Sequence, residues 1–264
     1  MKYTYEQLAK MIDHSLLHPT MTDQELDDGC KLAAKYRVAS VCIKPYAVKR
    51  AAQLLRGTGV LVGAVIGFPH GNSATESKRY ETELACKDGA AEIDMVINIG
   101  KALSGDFDYV ERDIQAVCAE AHKHGAKVKV IFENDYLTKG GAGLSSDDFK
   151  RGLCKISERA GADWVKTSSG YGFVKQPDGS YNYKGATEHD LALMRASVSP
   201  KVQVKAAGGV RDLDGLMRVC DLGATRCGAT ATAAMMDEYR RREAAETAGQ
   251  TVTAGNAGIG KGGY

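Results

Sequence analysis

This 264-residue chain lacks a long apolar run, an excess of either charge, and any closely spaced pair of cysteines. Its longest candidate, Val60 to Phe68, stops at Pro69, far short of the ~18 residues needed to cross a bilayer, so no membrane partner is expected. Thirty-five Lys and Arg against 33 Asp and Glu leave a formal charge of +2. That balance gives no electrostatic footprint for nucleic acid or anionic lipid. Cys30, Cys42, Cys86, Cys118, Cys154, Cys220 and Cys227 are scattered with no CxxC spacing. An odd, dispersed set reads as reduced buried thiols, not as a disulfide framework or a zinc site. The opening Met1-Lys2-Tyr3-Thr4-Tyr5-Glu6 has no apolar h-region, so no secretory signal and a cytoplasmic compartment are expected.

What is present alternates. Short β-branched runs at Met11–Ser15, Val38–Lys44, Val60–Gly67, Glu92–Asn98, Lys127–Glu133, Asp163–Ser168, Val202–Ala207 and Thr225–Cys227 read as strands. Amphipathic stretches lie between them at Asp23–Tyr36, Ser73–Asp88, Tyr109–His124, Ser146–Ala160, Thr187–Ser197 and Leu213–Asp221. Thr22, Ser145 and Thr187 supply N-cap residues ahead of acids, and Gly-Ala pairs at 89, 125, 161 and 223 mark the return to a strand. Alternation of this kind implies parallel pairing through crossovers. Eight units suit a (β/α)8 barrel, and no G-x-G-x-x-G follows the first strand to favour a Rossmann sheet. The expected organisation is a single barrel over 1–243 and a flexible, Gly-, Ala- and Thr-rich tail over 244–264.

Two lysines break the apolar strand pattern: Lys166 in Trp164-Val165-Lys166-Thr167, and Lys205 in Val204-Lys205-Ala206-Ala207. Strand side chains alternate faces. With Ile93, Met95, Val128, Val130, Val165 and Val204 turned to the helices, Asp94, Lys129, Lys166 and Lys205 turn inward, joined by Glu133 on the Lys129 face. A lysine is almost never fully buried unless paired. Burial beside a second ammonium disfavours its charged form, and a neutral lysine forms a Schiff base with a carbonyl substrate. Asp94 suits a general acid/base task through a water. Periodicity does not choose which lysine becomes covalent.

Glycine-containing turns follow the late strands: Gly170 after Lys166, Gly208-Gly209 after Lys205, and Gly228-Ala229-Thr230 after Arg226. In (β/α)8 proteins the last loops commonly hold phosphate on backbone N–H groups. His122 and His124 point to different helix faces, and nothing joins His14, His18 and His70 into a three-ligand site, so neither metal nor cofactor is expected. Cys42 reads as a buried thiol near the mouth.

Together Ile12-Asp13-His14-Ser15-Leu16-Leu17, Phe68-Pro69-His70-Gly71, Glu92 to Gly100, Lys129-Val130-Ile131-Phe132-Glu133, Val165 to Gly170 and Val204 to Val210 resemble the deoxyribose-phosphate aldolase family. The resemblance spans roughly residues 8 to 235. It implies a (β/α)8 fold and reversible, metal-free cleavage of 2-deoxyribose 5-phosphate to acetaldehyde and glyceraldehyde 3-phosphate. By motif position it implies Lys166 as the Schiff-base lysine, Lys205 as the neighbour that perturbs it, and Asp94 as acid/base partner. Asp13, Lys129, Cys42, Thr167, Gly170, Gly208, Gly209, Gly228 and Thr230 form the expected substrate-lining set. Tyr264 resembles a terminal tyrosine that some members place over the site. The segment from Tyr171 to Lys184 is longer than the family's usual turn and carries Lys175 and Lys184, either phosphate contacts or solvated side chains. The expected partners are small phosphosugars and aldehydes, with a homodimer as the default assembly. Two other readings stay open: a related aldolase using a different or unphosphorylated aldehyde pair, and a non-catalytic barrel that binds a sugar phosphate.

Overall fold

The computed structural model describes residues 1–249 and Ile259. Its strands are β1 Ile12–Leu16, β2 Ser40–Ile43, β3 Leu61–Ile66, β4 Glu92–Val96, β5 Lys127–Ile131, β6 Trp164–Lys166, β7 Val174–Lys175, β8 Tyr181–Asn182, β9 Gln203–Ala207 and β10 Arg226–Ala229. Eight of them close into a parallel barrel in the order β1-β10-β9-β6-β5-β4-β3-β2, while β7 and β8 form a separate antiparallel hairpin. The expected (β/α)8 architecture is what the chain adopts.

The helices are α1 Tyr5–Ala9, α2 Asp23–Tyr36, α3 Val48–Leu54, α4 Thr75–Lys87, α5 Ile99–Leu103, α6 Phe107–Lys123, α7 Ser146–Arg159, α8 Glu188–Ser197, α9 Leu213–Asp221 and α10 Thr232–Thr247. Their starts follow the local chemistry. Thr22 accepts from the Glu25 N–H at 3.3 Å while Glu25 reaches back to the Thr22 N–H at 2.7 Å, a reciprocal cap of two otherwise unsatisfied donors. Ser145 and Thr187 cap α7 and α8 with their hydroxyls, which accept from Asp148 N and Asp190 N. Gly89, Gly125, Gly161 and Gly223 all take positive φ where a helix hands over to a strand.

The main core lies between the barrel wall and the helices. Ile93, Met95, Val128, Val130, Val165 and Val204 are fully buried there, each worth roughly 1.5–3 kcal/mol on removal from water. Their alternation forces the charged residues between them into the barrel interior.

Several details depart from the sequence expectations. α1, α3, α5, α10 and the β7–β8 hairpin carry no strong apolar period and were not anticipated. α10 runs to Thr247, so residues 244–247 belong to a helix and not to the expected tail. It is held to the barrel by Met235, Met236, Tyr239 and an Arg242 guanidinium that grips Asp214 at 2.5 and 2.8 Å, a polar attachment that hides its inner face in the sequence. β5 stops at Ile131. Glu133 beyond it takes a left-handed conformation (φ 59°) and does not enter the barrel as expected.

Candidate active site

Register lines up the charged strands. Lys166 is the cross-strand partner of Lys205, Lys205 of Arg226, and Asp94 of Lys129. Seven ionisable side chains therefore converge inside the barrel. Lys205 Nζ lies 2.6 Å from Asp13 Oδ2 and 2.7 Å from Asp94 Oδ2. Lys129 Nζ donates to Glu92 at 2.5 Å and Asp94 Oδ1 at 3.0 Å, with Asp13 Oδ2 at 3.3 Å. Arg226 bridges Glu92, at 2.6 and 2.9 Å, and Asp13 at 2.6 Å, and Ser40 Oγ donates to Asp13 at 2.7 Å. Among the described residues Lys166 Nζ pairs with one carboxylate oxygen, Asp94 Oδ2, at 2.6 Å. Beneath the network the buried Trp164 ring lies 5.3 Å from the Arg226 guanidinium and 5.7 Å from Lys129 Nζ.

Those contacts spread counter-charge unevenly over the cations. Lys129, Lys166, Lys205 and Arg226 face Asp13, Glu92 and Asp94, so four potential cations share three carboxylates. Lys129 touches three carboxylates and Lys205 two, whereas Lys166 touches one that it shares. Burial lowers Lys166 below the ordinary lysine value, with Lys205 adding to the effect and Asp94 only partly opposing it. Burial acts equally on Lys205, yet Asp13 and Asp94 outweigh it and hold that ammonium well above the ordinary value. Burial would raise Asp94, but Lys129, Lys166 and Lys205 together hold it well below the usual carboxylate range. The two lysines that alternation could not tell apart thus differ in how many carboxylates they contact.

A cleft of about 650 Å³, counting its open mouth, sits above this network. Lys166 and Lys205 lie at its base, and Gly170, Gly208, Gly209, Gly228 and Thr230 form its rim, so the three late turns do meet. Cys42 is on the wall, its Sγ 3.9 Å from Asp94, and burial raises its thiol above the ordinary value. Asp13, Asp94 and Lys129 lie behind the lysines, in the network and not on the cleft surface. Thr167 is not on the cleft surface either. Its hydroxyl donates to Ala207 O at 3.2 Å and accepts from Ala207 N at 3.1 Å, tying β6 to β9. Lys175 and Lys184 are exposed and do not line the cleft. Tyr264 lies outside the described residues.

Glu92 and Arg226 were missed as members of the network, although Glu92 shares the parity of Asp94. Arg211 and Tyr183 also line the cleft and carried no signal of their own. His14 is buried with Nδ1 2.9 Å from Thr232 Oγ1, and burial lowers it to about 4.

The comparisons with known proteins bear on this geometry. The model of the family described as DeoC/LacD family aldolase matches residues 7–237. A deoxyribose-phosphate aldolase of Rhodopirellula baltica is 50% identical over 240 residues, covering 91% of this chain and 92% of the relative. One from Clostridium perfringens is 44% identical over 232 residues, covering 88% and 95%. Among solved structures, a tetrameric deoxyribose phosphate aldolase from Aeropyrum pernix superposes with a TM-score of 0.76 at 28% identity, covering 90% of this chain and 92% of that one. A closed parallel barrel, a lysine short of counter-charge at the base of its cleft, and a family match across nearly the whole fold lead to one conclusion: this chain belongs to the DeoC/LacD family of aldolases.

Proposed function

We propose that the chain is a class I deoxyribose-phosphate aldolase, reversibly cleaving 2-deoxy-D-ribose 5-phosphate to acetaldehyde and D-glyceraldehyde 3-phosphate through a Schiff base on Lys166. The single observation that carries the assignment of Lys166 is its contact with one shared carboxylate, against two for Lys205 and three for Lys129. A neutral Lys166 amine attacks the C1 aldehyde, and loss of water gives an iminium. Removal of the C3 hydroxyl proton then breaks the C2–C3 bond, whose electron pair passes into an enamine as glyceraldehyde 3-phosphate leaves. Protonation at C2 and hydrolysis release acetaldehyde and restore the amine. Asp94, as a carboxylate, is the acid/base partner acting through water, and the Lys205 ammonium keeps the site positive enough to disfavour a second positive charge on Lys166. The N–H groups of the Gly170, Gly208–Gly209 and Gly228–Thr230 turns would receive the phosphate, with Cys42 on the wall beside it, while Asp13 and Lys129 support the network from behind. Tyr264 is retained in the proposal as a proton-transfer residue.

Reductive trapping tests the reading. Borohydride with substrate should attach the two-carbon adduct to the peptide containing Lys166. An adduct on Lys205, or none, would overturn it. Turnover of deoxyribose compared with its 5-phosphate tests the phosphate turns. The reading extends to a homo-oligomer, at simplest a dimer, working in the cytoplasm, where seven unpaired cysteines stay reduced. Sedimentation would test the assembly.

A further inference from the structure

The turn that follows β5 holds both ends of one cleft wall. Glu133 and Asp135 are 1% and 8% exposed, and neither belongs to the barrel network. The Glu133 carboxylate accepts from Ser169 N at 3.1 and 3.2 Å and from the Ser169 hydroxyl, whose oxygen in turn accepts from Tyr171 N at 2.9 Å. Two residues on, Asp135 spends one oxygen on Lys184 N, at 2.6 Å, and the other on Gly185 N, at 3.0 Å. Tyr136 of the same turn donates to Phe173 O at 3.2 Å. The segment leaving β6 and the segment returning from the β7–β8 hairpin are therefore fastened to a single four-residue stretch.

Close packing leaves this arrangement little slack. A Cβ on Gly172 would meet Glu133 Cδ at 2.4 Å, and one on Gly185 would meet the Gly208 carbonyl carbon at 2.6 Å. Tyr183 is delivered against the Gly208 turn, where a Cβ on Gly208 would meet its ring at 3.2 Å, and Phe173 packs edge-on to it at 5.4 Å. Ser169, Gly170 and Tyr183 are all cleft-lining residues. The left-handed backbone of Glu133 is a strained conformation for a residue with a Cβ, of the kind kept where surrounding structure imposes it.

We infer that Glu133 and Asp135 are positioning residues for substrate binding, which fix the two ends of the 169–185 segment so that Ser169, Gly170 and Tyr183 form one wall of the cleft. The inference rests on the cleft being the substrate site, as proposed above. Neither carboxylate touches the cleft surface; each acts through the backbone it holds. Burial is the chief cause that raises both carboxyl groups, Glu133 to about 7. Lys166 on β6 opposes this at Glu133. Asp190 on α8, itself paired with Lys150 of α7 at 2.6 Å, adds to it at Asp135. Each carboxylate is thus held in a costly environment by the donors it fastens.

Glu133→Gln and Asp135→Asn keep shape and remove one acceptor each. Asn at 135 can satisfy only one of the two N–H groups, and Gln at 133 leaves a single oxygen to accept from the Ser169 N–H and hydroxyl. Hydrogen exchange in the intact protein reads the clamp independently of any reaction. Exchange at Ser169, Tyr171, Lys184 and Gly185 should rise at least about tenfold in the matching variant, while the β4 and β5 amides stay protected. Steady-state kinetics on deoxyribose 5-phosphate should then show KM raised about five- to tenfold with kcat within twofold, the split expected of lost uniform binding. Unchanged exchange overturns the inference whatever the enzyme does. Faster exchange with an unchanged KM, or with kcat falling as much as kcat/KM, overturns it as well. Failure to trap the wild-type protein at Lys166 would instead strike the reading of the site, leaving the exchange result to stand by itself.

Discussion

Lys78 and Lys166 are both almost wholly buried, each pairs with one carboxylate among the described residues, and they sit in opposite circumstances. Lys78 of α4 is enclosed between helix and barrel, with Asp113 at 2.5 Å and the Val96 carbonyl at 2.9 Å, and Thr75 Oγ1 donates to the same carboxylate at 2.8 Å. Among the described residues no second cation pairs with Asp113, whose other oxygen is taken by Thr75. Lys166 has the same burial and the same kind of partner, but Asp94 also serves Lys205 and Lys129. Burial by itself therefore does not distinguish the two amines. What sets Lys166 apart is competition for a carboxylate among more cations than there are anions.

That contrast is easiest to break with the lysines themselves. Lys166→Met should lower turnover by at least about a thousandfold and abolish borohydride trapping, because on the proposed reading Lys205, held as an ammonium by Asp13 and Asp94, does not replace the lost amine. Lys78→Met should do the reverse. Leaving Asp113 buried and unpaired should cost about 3–5 kcal/mol in denaturant unfolding, while the folded fraction still traps substrate. Loss of trapping in folded Lys78→Met protein would erase the distinction between the two sites.

Lys205→Met sharpens it. Removing the neighbouring ammonium frees Asp94 for Lys166, whose pKa should rise, so activity at neutral pH should fall by roughly tenfold to a hundredfold and partly recover as pH increases. On the proposed reading the neutral amine is the active form, so wild-type activity should decline as pH drops through the lowered Lys166 value. The variant's acid limb should lie at higher pH. Coincident profiles would show that Lys205 does not tune Lys166.

Smaller effects follow away from the lysines. The folded-state value of His14 is about 4 against an ordinary 6.5. For a base depressed on folding, stability is fully present above the ordinary value and is lost as pH falls toward the folded one. The loss should approach about 3 kcal/mol between pH 8 and pH 4. Unfolding of His14→Gln and wild type at both pH values would reveal it as a stability difference that shrinks in acid. Least of all, Thr167→Val should cost about 1 kcal/mol by removing the tie to Ala207 while leaving KM within twofold. A large KM change would return Thr167 to the substrate surface.

Strand alternation made the barrel and the inward charges legible, because Val, Ile and Met on one face compel the opposite face inward. It found Asp94, Lys129, Lys166 and Lys205 without any structure. It overlooked Glu92, which sits at the first residue of its strand where parity has nothing before it to lean on, and Arg226, whose strand is only four residues long. Glu133 was misplaced because alternation assumes that the strand continues, and a positive φ ends that assumption. Tyr183 was beyond reach for another reason. Its place in the cleft is decided by Asp135 and Gly208, contacts between distant segments that no local pattern encodes.

The indole beneath the charged layer has a practical use. Trp164 is the chain's one tryptophan, and Arg226, Lys127 and Lys129 bring their cationic groups to 5.3, 5.5 and 5.7 Å from its ring centre. Its emission should respond to rearrangement among those neighbours, so a fluorimeter can follow imine formation in unlabelled protein, without a coupled assay.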